Sequence, residues 1–280
     1  MIIQKTWKNG TVDYMGHLRQ EERSENTISQ YYRDILCFLS WVKGQEITKN
    51  VVIRYKEKLQ AEYKATSVNA KLAALNGFFN FLNRSDLKVK QLKIQHSAYC
   101  SKDRELTKDE YLRLVNEAKR KENEKLSLLI QTICSTGIRV SELRFITTEA
   151  VKYGEAAICL KGKNRIVLLP DNLCRLLKKY IVRQRITTGP VFVTRTGKPL
   201  DRSNICKQMK ALCKSARVDR RKVFPHSLRH LFARCFYSIG RDIAKLADIL
   251  GHSSINTTRI YIVSTGTEHL RQMESLGLIV

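Results

Sequence analysis

His226-Ser227-Leu228-Arg229-His230 and, further on, Gly251-His252-Ser253-Ser254 lead to Tyr261. This stretch decides how the chain is read. Pro225 precedes the segment, and proline is favoured in the first turn of a helix, so a helix carrying His226 and Arg229 is expected. Asp242 to Leu250 predicts the next helix, with Gly251 stopping it as a left-handed cap. Ser254 suits the N-cap of a further short helix that ends near Tyr261. His252 thus falls at a junction between helices, and Tyr261 at the far end of a short element.

Upstream stands Thr136-Gly137-Ile138-Arg139-Val140-Ser141-Glu142-Leu143. Gly137 breaks an apolar helix over Leu126 to Ser135, and Arg139 follows at the start of a short one. Between the two motifs, Glu155 to Pro170 changes period and predicts a β-hairpin with a lysine-rich turn, Lys161-Gly162-Lys163-Asn164. These residue types suit phosphate chemistry. Breaking a phosphodiester needs a nucleophile, charge on the non-bridging oxygens and a proton for the leaving oxygen. Arginine grips two phosphate oxygens with one fork and never loses its charge, which nominates Arg139 and Arg229. A turn lysine can protonate a leaving oxygen, a histidine can take a proton near neutrality, and a tyrosine can form a covalent phosphate ester.

The composition points the same way. The chain has 280 residues, with 51 Lys+Arg against 26 Asp+Glu and a net charge of +25. Such an excess favours a polyanionic partner. It is spread along the chain: 16 basic and 9 acidic residues up to Cys100 give +7, and 35 and 17 after it give +18. None of the eight cysteines forms a CxxC pair, so a structural zinc site is not expected. Most sit among apolar neighbours, as reduced buried thiols do, and with no signal peptide at the start this predicts a reducing cytoplasm. No apolar run reaches membrane-span length.

In order, residues 11–85 read as three or four helices around a shared apolar interior, with stripes at Tyr31, Ile35, Phe38, Leu39, Val42 and at Val68, Leu72, Leu75, Phe78, Phe79, Leu82. Lys56, Lys58, Lys64 and Lys71 are expected on the outside. Residues 89–104 lose periodicity and predict an extended basic linker. Thr107 and Glu110 fit a capping box opening the second domain. Helices are expected over Asp171 to Arg185 and Ser203 to Ala216, and a short strand or turn over Gly189 to Val193. The tail after Thr265 is amphipathic.

Taken together, the Thr136 to Leu143, His226 to His230 and Gly251 to Ser254 motifs with Tyr261 resemble those of tyrosine recombinases, the phage integrase family. Leu250 to Tyr261 is especially similar, and Tyr31-Tyr32-Arg33-Asp34-Ile35 with the Thr66 to Leu82 helix resembles the family's amino-terminal domain. The resemblance covers nearly the whole chain and is greatest to compact Xer, transposon and integron types. It implies a mainly α fold with a small antiparallel sheet: a helical core-binding domain over 1–88, a linker over 89–104, and an α+β catalytic domain over 105–280 with an exchange tail from about 265, the two domains closing as a C-shaped clamp on duplex DNA. It implies Tyr261 as nucleophile forming a 3′-phosphotyrosyl link, Arg139 and Arg229 clamping the phosphate, and His226 in proton transfer with Tyr261. It further implies His252 on a phosphate oxygen, Lys161 as the hairpin acid and Glu142 as an orienting carboxylate. The hairpin is shorter than the common family turn, so Lys163 stays as the alternative to Lys161, and Glu142 stays open to a plain helix ion pair.

The implied partners are double-stranded DNA recombination sites, a homotetramer on two such sites, and an accessory directionality factor or sister recombinase. No cofactor, metal or membrane is implied, and the expected place is the bacterial cytoplasm at the nucleoid. Three rivals share some features. A helix-turn-helix regulator accounts for Ile243 to Tyr261 but leaves Arg139, His226, Arg229 and the hairpin unexplained. A relaxing topoisomerase shares the phosphotyrosine chemistry. A metal-dependent nuclease requires paired carboxylates at ligand spacing, which the six histidines lack. Integration, excision, inversion and dimer resolution remain equally compatible with the sequence.

Overall fold

A computed structural model describes residues 2–94, 105–160, 163–262 and 274–276. The chain divides into two compact units, Met1–His96 and Ser97–Val280. Lys161 and the exchange tail, apart from 274–276, lie outside the described residues, as does Cys100.

The first unit holds α1 (Ile2–Gln20), α2 (Glu25–Val42), α3 (Lys49–Glu62) and α4 (Ala65–Phe81), followed by a 3-10 turn over Ser85–Leu87. The Ser24 hydroxyl accepts from the Thr27 amide and starts α2, and Thr48 does the same for α3. The apolar stripes meet inside: Ile35, Phe38, Val52, Leu72, Leu75, Phe78 and Phe79 are fully buried. Phe38 meets Tyr55 edge-on at 5.0 Å between ring centres, so these aromatics build the core. Lys71 does not point outward as the sequence suggests. It turns in to the buried Asp34 carboxylate at 2.7 Å, which also accepts from Gln30 at 2.9 Å. A buried carboxylate requires such a partner.

Residues 89–94, the first part of the expected extended linker, run as a strap on this unit. Asn76 donates to the Val89 carbonyl at 2.9 Å and accepts from the Val89 amide at 3.0 Å. One pitch-pair further back on α4, Asn69 holds Leu92 in the same way, at 2.9 and 2.7 Å. Lys49 and Lys56 cap the carbonyls of Lys88 and Lys90. Two asparagines seven residues apart lie on one helix face and mimic the ladder of a neighbouring strand, while Val89 packs into the core.

The first helix described in the second unit, α5 (Lys108–Arg120), opens with the expected capping box, where Thr107 and Glu110 satisfy each other's amides. Next come α6 (Glu124–Thr136), a 3-10 segment Val140–Phe145, α7 (Thr148–Tyr153), and the antiparallel strands β1 (Glu155–Leu160) and β2 (Lys163–Leu168). The chain continues through α8 (Asp171–Arg183), α9 (Arg202–Ala216), α10 (Pro225–Gly240), α11 (Ile243–Leu250) and α12 (Ile255–Ile262). Apolar α6 is central and packs on α5, α8, α9 and α10. Residues 189–193 form only isolated bridges, Thr147 with Pro190 and Val193 with Pro199.

Two details position the site. Gly137 ends α6 with φ +65°, and a side chain there would meet Phe232 and Leu250, so the chain turns tightly onto α10 and α11 before reaching Arg139. In the hairpin, Ile158 faces Arg165 across the sheet. Ala156, Ile158 and Val167 point inward and are buried, whereas Ile166 and Leu168 are exposed at 63% and 73%. Arg165 therefore lies on the inner face. The cysteines also depart from expectation: of the described ones only Cys174 and Cys213 are buried, and Cys37, Cys159 and Cys235 are exposed. Among the described residues no helix is long and apolar enough to cross a membrane.

Candidate active site

The C-terminus of α11 organises the site. Gly251, at φ +64°, closes the helix in a paired reverse turn: its amide donates to Asp248 at 2.9 Å and that of His252 to Ala247 at 3.0 Å. The last three carbonyls, of Ile249, Leu250 and Gly251, each accept from a different arginine. Arg165 takes Ile249, Arg229 takes Leu250 at 2.7 Å, and Arg139 takes Gly251 at 3.3 Å. Three guanidinium groups at one helix C-terminus meet the negative end of its dipole.

Glu142 supplies the opposing charge. It is 2% exposed. Its Oε2 accepts from the Arg139 amide at 2.8 Å and from Arg165 at 2.6 Å, and its Oε1 accepts from the Arg139 guanidinium at 2.9 Å. Burial alone raises its pKa, but the Arg139 amide and the two arginine charges outweigh it and hold the carboxyl below its ordinary value.

Arg229 is 1% exposed and reaches across to the Gly137 carbonyl and to His252 Nε2 at 2.9 Å. Burial, with the Arg139 charge second, lowers its pKa to about 10, so it stays charged near neutrality. Its Nε–H is buried and has no hydrogen-bond partner among the described residues, a costly condition that calls for an explanation. Guanidinium groups only donate, so His252 Nε2 is the acceptor. Its proton is then on Nδ1 and is given to the Thr258 hydroxyl at 2.8 Å. Burial and the Arg229 charge lower the His252 pKa to about 4, consistent with this neutral form.

The Tyr261 ring is 5% exposed, and its hydroxyl lies 3.3 Å from His226 Nε2. His226 opens α10 and reaches the cleft bordered by Arg139, Asp201, Arg202 and Arg229. Desolvation, then the Arg229 charge, lowers its pKa. His230 lies against Tyr261 with ring centres 4.2 Å apart, and its pKa falls to about 4 through burial and then His226.

The structure thus brings together Arg139, Glu142, His226, Arg229, His252 and Tyr261 in one cluster. Lys161 lies outside the described residues, and of Lys163 only the backbone is described. Arg165, Thr258 and the packing of His230 are additions to the sequence-derived set. Among the described residues no group of three or more His, Cys, Asp or Glu side chains could hold a metal ion.

Known proteins resemble this chain in sequence and fold. The Phage integrase family matches residues 104–268, and the Phage integrase, N-terminal SAM-like domain matches residues 12–86. A tyrosine recombinase of Thermosipho africanus (strain TCF52B) is 30% identical over 267 residues, covering 89% of this chain and 92% of that protein. Tyrosine recombinase XerA of Pyrococcus furiosus is 29% identical over 277 residues, covering 96% and 94%. Among solved structures, a lambda integrase tetramer bound to a Holliday junction superposes with a TM-score of 0.68 at 18% identity, covering 92% of this chain and 76% of that one, which shows the shared fold.

Proposed function

The chain belongs to the phage integrase family, the tyrosine recombinases, and from that premise we propose how its residues divide the work of a site-specific DNA recombinase. The enzyme cleaves and rejoins DNA strands. Tyr261 Oη attacks the scissile phosphorus, a tyrosyl–phosphate ester forms at the 3′ end, and the P–O5′ bond breaks. The 5′ oxygen leaves as a hydroxyl after gaining a proton. The incoming strand's 5′-hydroxyl reverses the step, and two such exchanges pass through a Holliday junction. The ester conserves the bond energy, so no nucleotide cofactor is consumed.

The Tyr261–His226 hydrogen bond beside the unpartnered Nε of Arg229 carries this reading. Neutral His226 Nε2 accepts the phenolic proton as attack proceeds. Arg139 and Arg229 neutralise the non-bridging oxygens, and a phosphate oxygen satisfies the Arg229 donor. His252 donates to a phosphate oxygen through Nε2–H. That tautomer needs an acceptor at Nδ1 turned into a donor, and the Thr258 hydroxyl can do both. Glu142 holds Arg139 in line. Lys161, with Lys163 as the alternative, protonates the leaving oxygen.

Residues 1–88 act as the core-binding domain on the duplex, and four copies act on two DNA sites, with residues 265–280 exchanged between protomers. The protein works at the bacterial nucleoid, with a directionality factor or sister recombinase choosing the outcome.

The test uses duplexes selected by the protein from a random pool, nicked near the bound centre and incubated in EDTA. A covalent adduct visible on a denaturing gel is expected. Tyr261→Phe keeps binding and loses the adduct. An adduct that survives in Tyr261→Phe refutes the assignment, and one that needs added metal refutes the mechanism.

A further inference from the structure

Arg165 is in none of the roles above, yet its side chain reaches Glu142, the Ile249 carbonyl and Gly251. We propose that Arg165 is a positioning residue that anchors the lysine-bearing hairpin to the phosphate-binding half of the active site. The proposal rests on the recombinase reading and adds a part to it.

Three contacts carry it. One guanidinium nitrogen donates to the Ile249 carbonyl and another to Glu142 Oε2 at 2.6 Å. The stem of the side chain lies against Gly251, where an added Cβ would stand 2.6 Å from Arg165 Cδ and 2.8 Å from Nε. Its side chain is 15% exposed. Both terminal nitrogens have protein acceptors, and no contact to the phosphate is assigned to Arg165. Its work is mechanical: a strand residue is bonded at once to the end of α11 and to the carboxylate that holds Arg139.

The direction of the effect can be decided from the bonds. Glu142 grips Arg139 through two contacts of its own, to the amide and to the guanidinium. Those remain when Arg165 is removed. What is lost is the side-chain tie between β2 and the rest of the site. The hairpin delivers Lys161, four residues earlier in the chain, and the lysine's task is to protonate the 5′ oxygen. Arg165 therefore serves the leaving-group half of the reaction. Lysine at this position has one nitrogen and cannot span the carbonyl and the carboxylate with a planar fork, so Arg165→Lys keeps the charge and only part of the anchor.

The test has two arms. In the free protein, hydrogen exchange of the β2 amides in Arg165→Leu is compared with wild type. Faster exchange in β2, on the order of tenfold, with α5 and α6 unchanged is expected; unchanged β2 protection overturns the anchor. In the second arm, adduct formation is timed on the selected duplex with either oxygen or sulfur bridging to the 5′ carbon at the scissile phosphate. The new ester to Tyr261 is the same in both, but sulfur leaves as a thiolate and needs no proton. Arg165→Ala should slow the oxygen substrate about a hundredfold, a typical loss for a misplaced general acid, and run near wild-type rate on sulfur. Arg165→Lys should fall between. Equal losses on both substrates would place the effect on Arg139 or on folding and overturn the proposal. If wild-type protein forms no adduct with either duplex, the recombinase reading fails, and the exchange arm still decides the anchor.

Discussion

The Tyr261 hydroxyl lies 3.3 Å from Nε2 of His226 in a pocket walled by imidazoles. Because desolvation and the Arg229 charge lower the His226 pKa, the base is neutral at pH 7. Cleavage should be level near neutrality and fall on acidification, with an acid limb below the ordinary histidine value of about 6.5. His226→Gln should cost about 10²-fold or more in adduct formation and remove that limb. A limb unchanged in His226→Gln would assign the titration elsewhere.

His252 depends on Thr258 for either tautomer. Thr258 is fully buried, and Thr258→Val leaves Nδ1–H without a partner at nearly constant volume. A cost of about 1–3 kcal/mol in unfolding free energy is expected, with slower cleavage, while Thr258→Ser should recover most of both. Thermal melts and adduct kinetics on the two variants check this.

The neutral histidines also link stability to pH. His230 and His252 have folded pKa values near 4, below the unfolded value, so between about 4 and 6.5 the unfolded chain binds more protons. Their contribution is complete above pH 6.5 and is lost as pH falls toward 4. The melting temperature should drop across that window, and His230→Phe, which keeps the ring against Tyr261, should flatten the drop. An equal slope in the variant would contradict it.

Glu142 is the carboxylate bonded to both Arg139 and Arg165. Glu142→Gln strands their positive charge beside the buried Arg229; the half-exposed Arg139 is screened by solvent, so the loss comes mainly from the buried Arg165 pair, at most about 3–5 kcal/mol. Denaturant unfolding should register that loss, and binding of selected duplex should weaken because Arg139 is no longer held.

In the first unit, Asn76→Ala should release the strap. The Val89 amide, which donates to Asn76 Oδ1 at 3.0 Å, should lose exchange protection while core amides near Phe38 keep theirs. Protection retained at Val89 would show that the strap holds by packing alone.

Much of this site was legible in the sequence because its chemistry lies in short motifs whose caps fix local structure. Gly137, Gly251 and Ser254 announce the turns, and the spacing of His226, Arg229, His252 and Tyr261 does the rest. Arg165 was not legible. Alternation in β2 sets apolar Ile166 and Leu168 outward and an arginine inward, the reverse of the ordinary amphipathic rule, because its partners are carbonyls and a carboxylate from distant elements. The strap escaped for a related reason. Asn69 and Asn76 are polar residues on a helix, and no hydrophobic period signals that they pair with backbone. Lys71 looked like a solvated charge because its buried partner, Asp34, is thirty-seven residues away.

The contact between Gly251 and Arg165 restricts how the protein can vary. Gly251 is held to glycine twice, by its left-handed backbone and by the arginine stem packed on it. A side chain at 251 displaces the stem, and shortening Arg165 leaves the backbone requirement in place. Neither position can therefore open a mutational route for the other. Any lineage that redesigns the hairpin must first rebuild the end of α11.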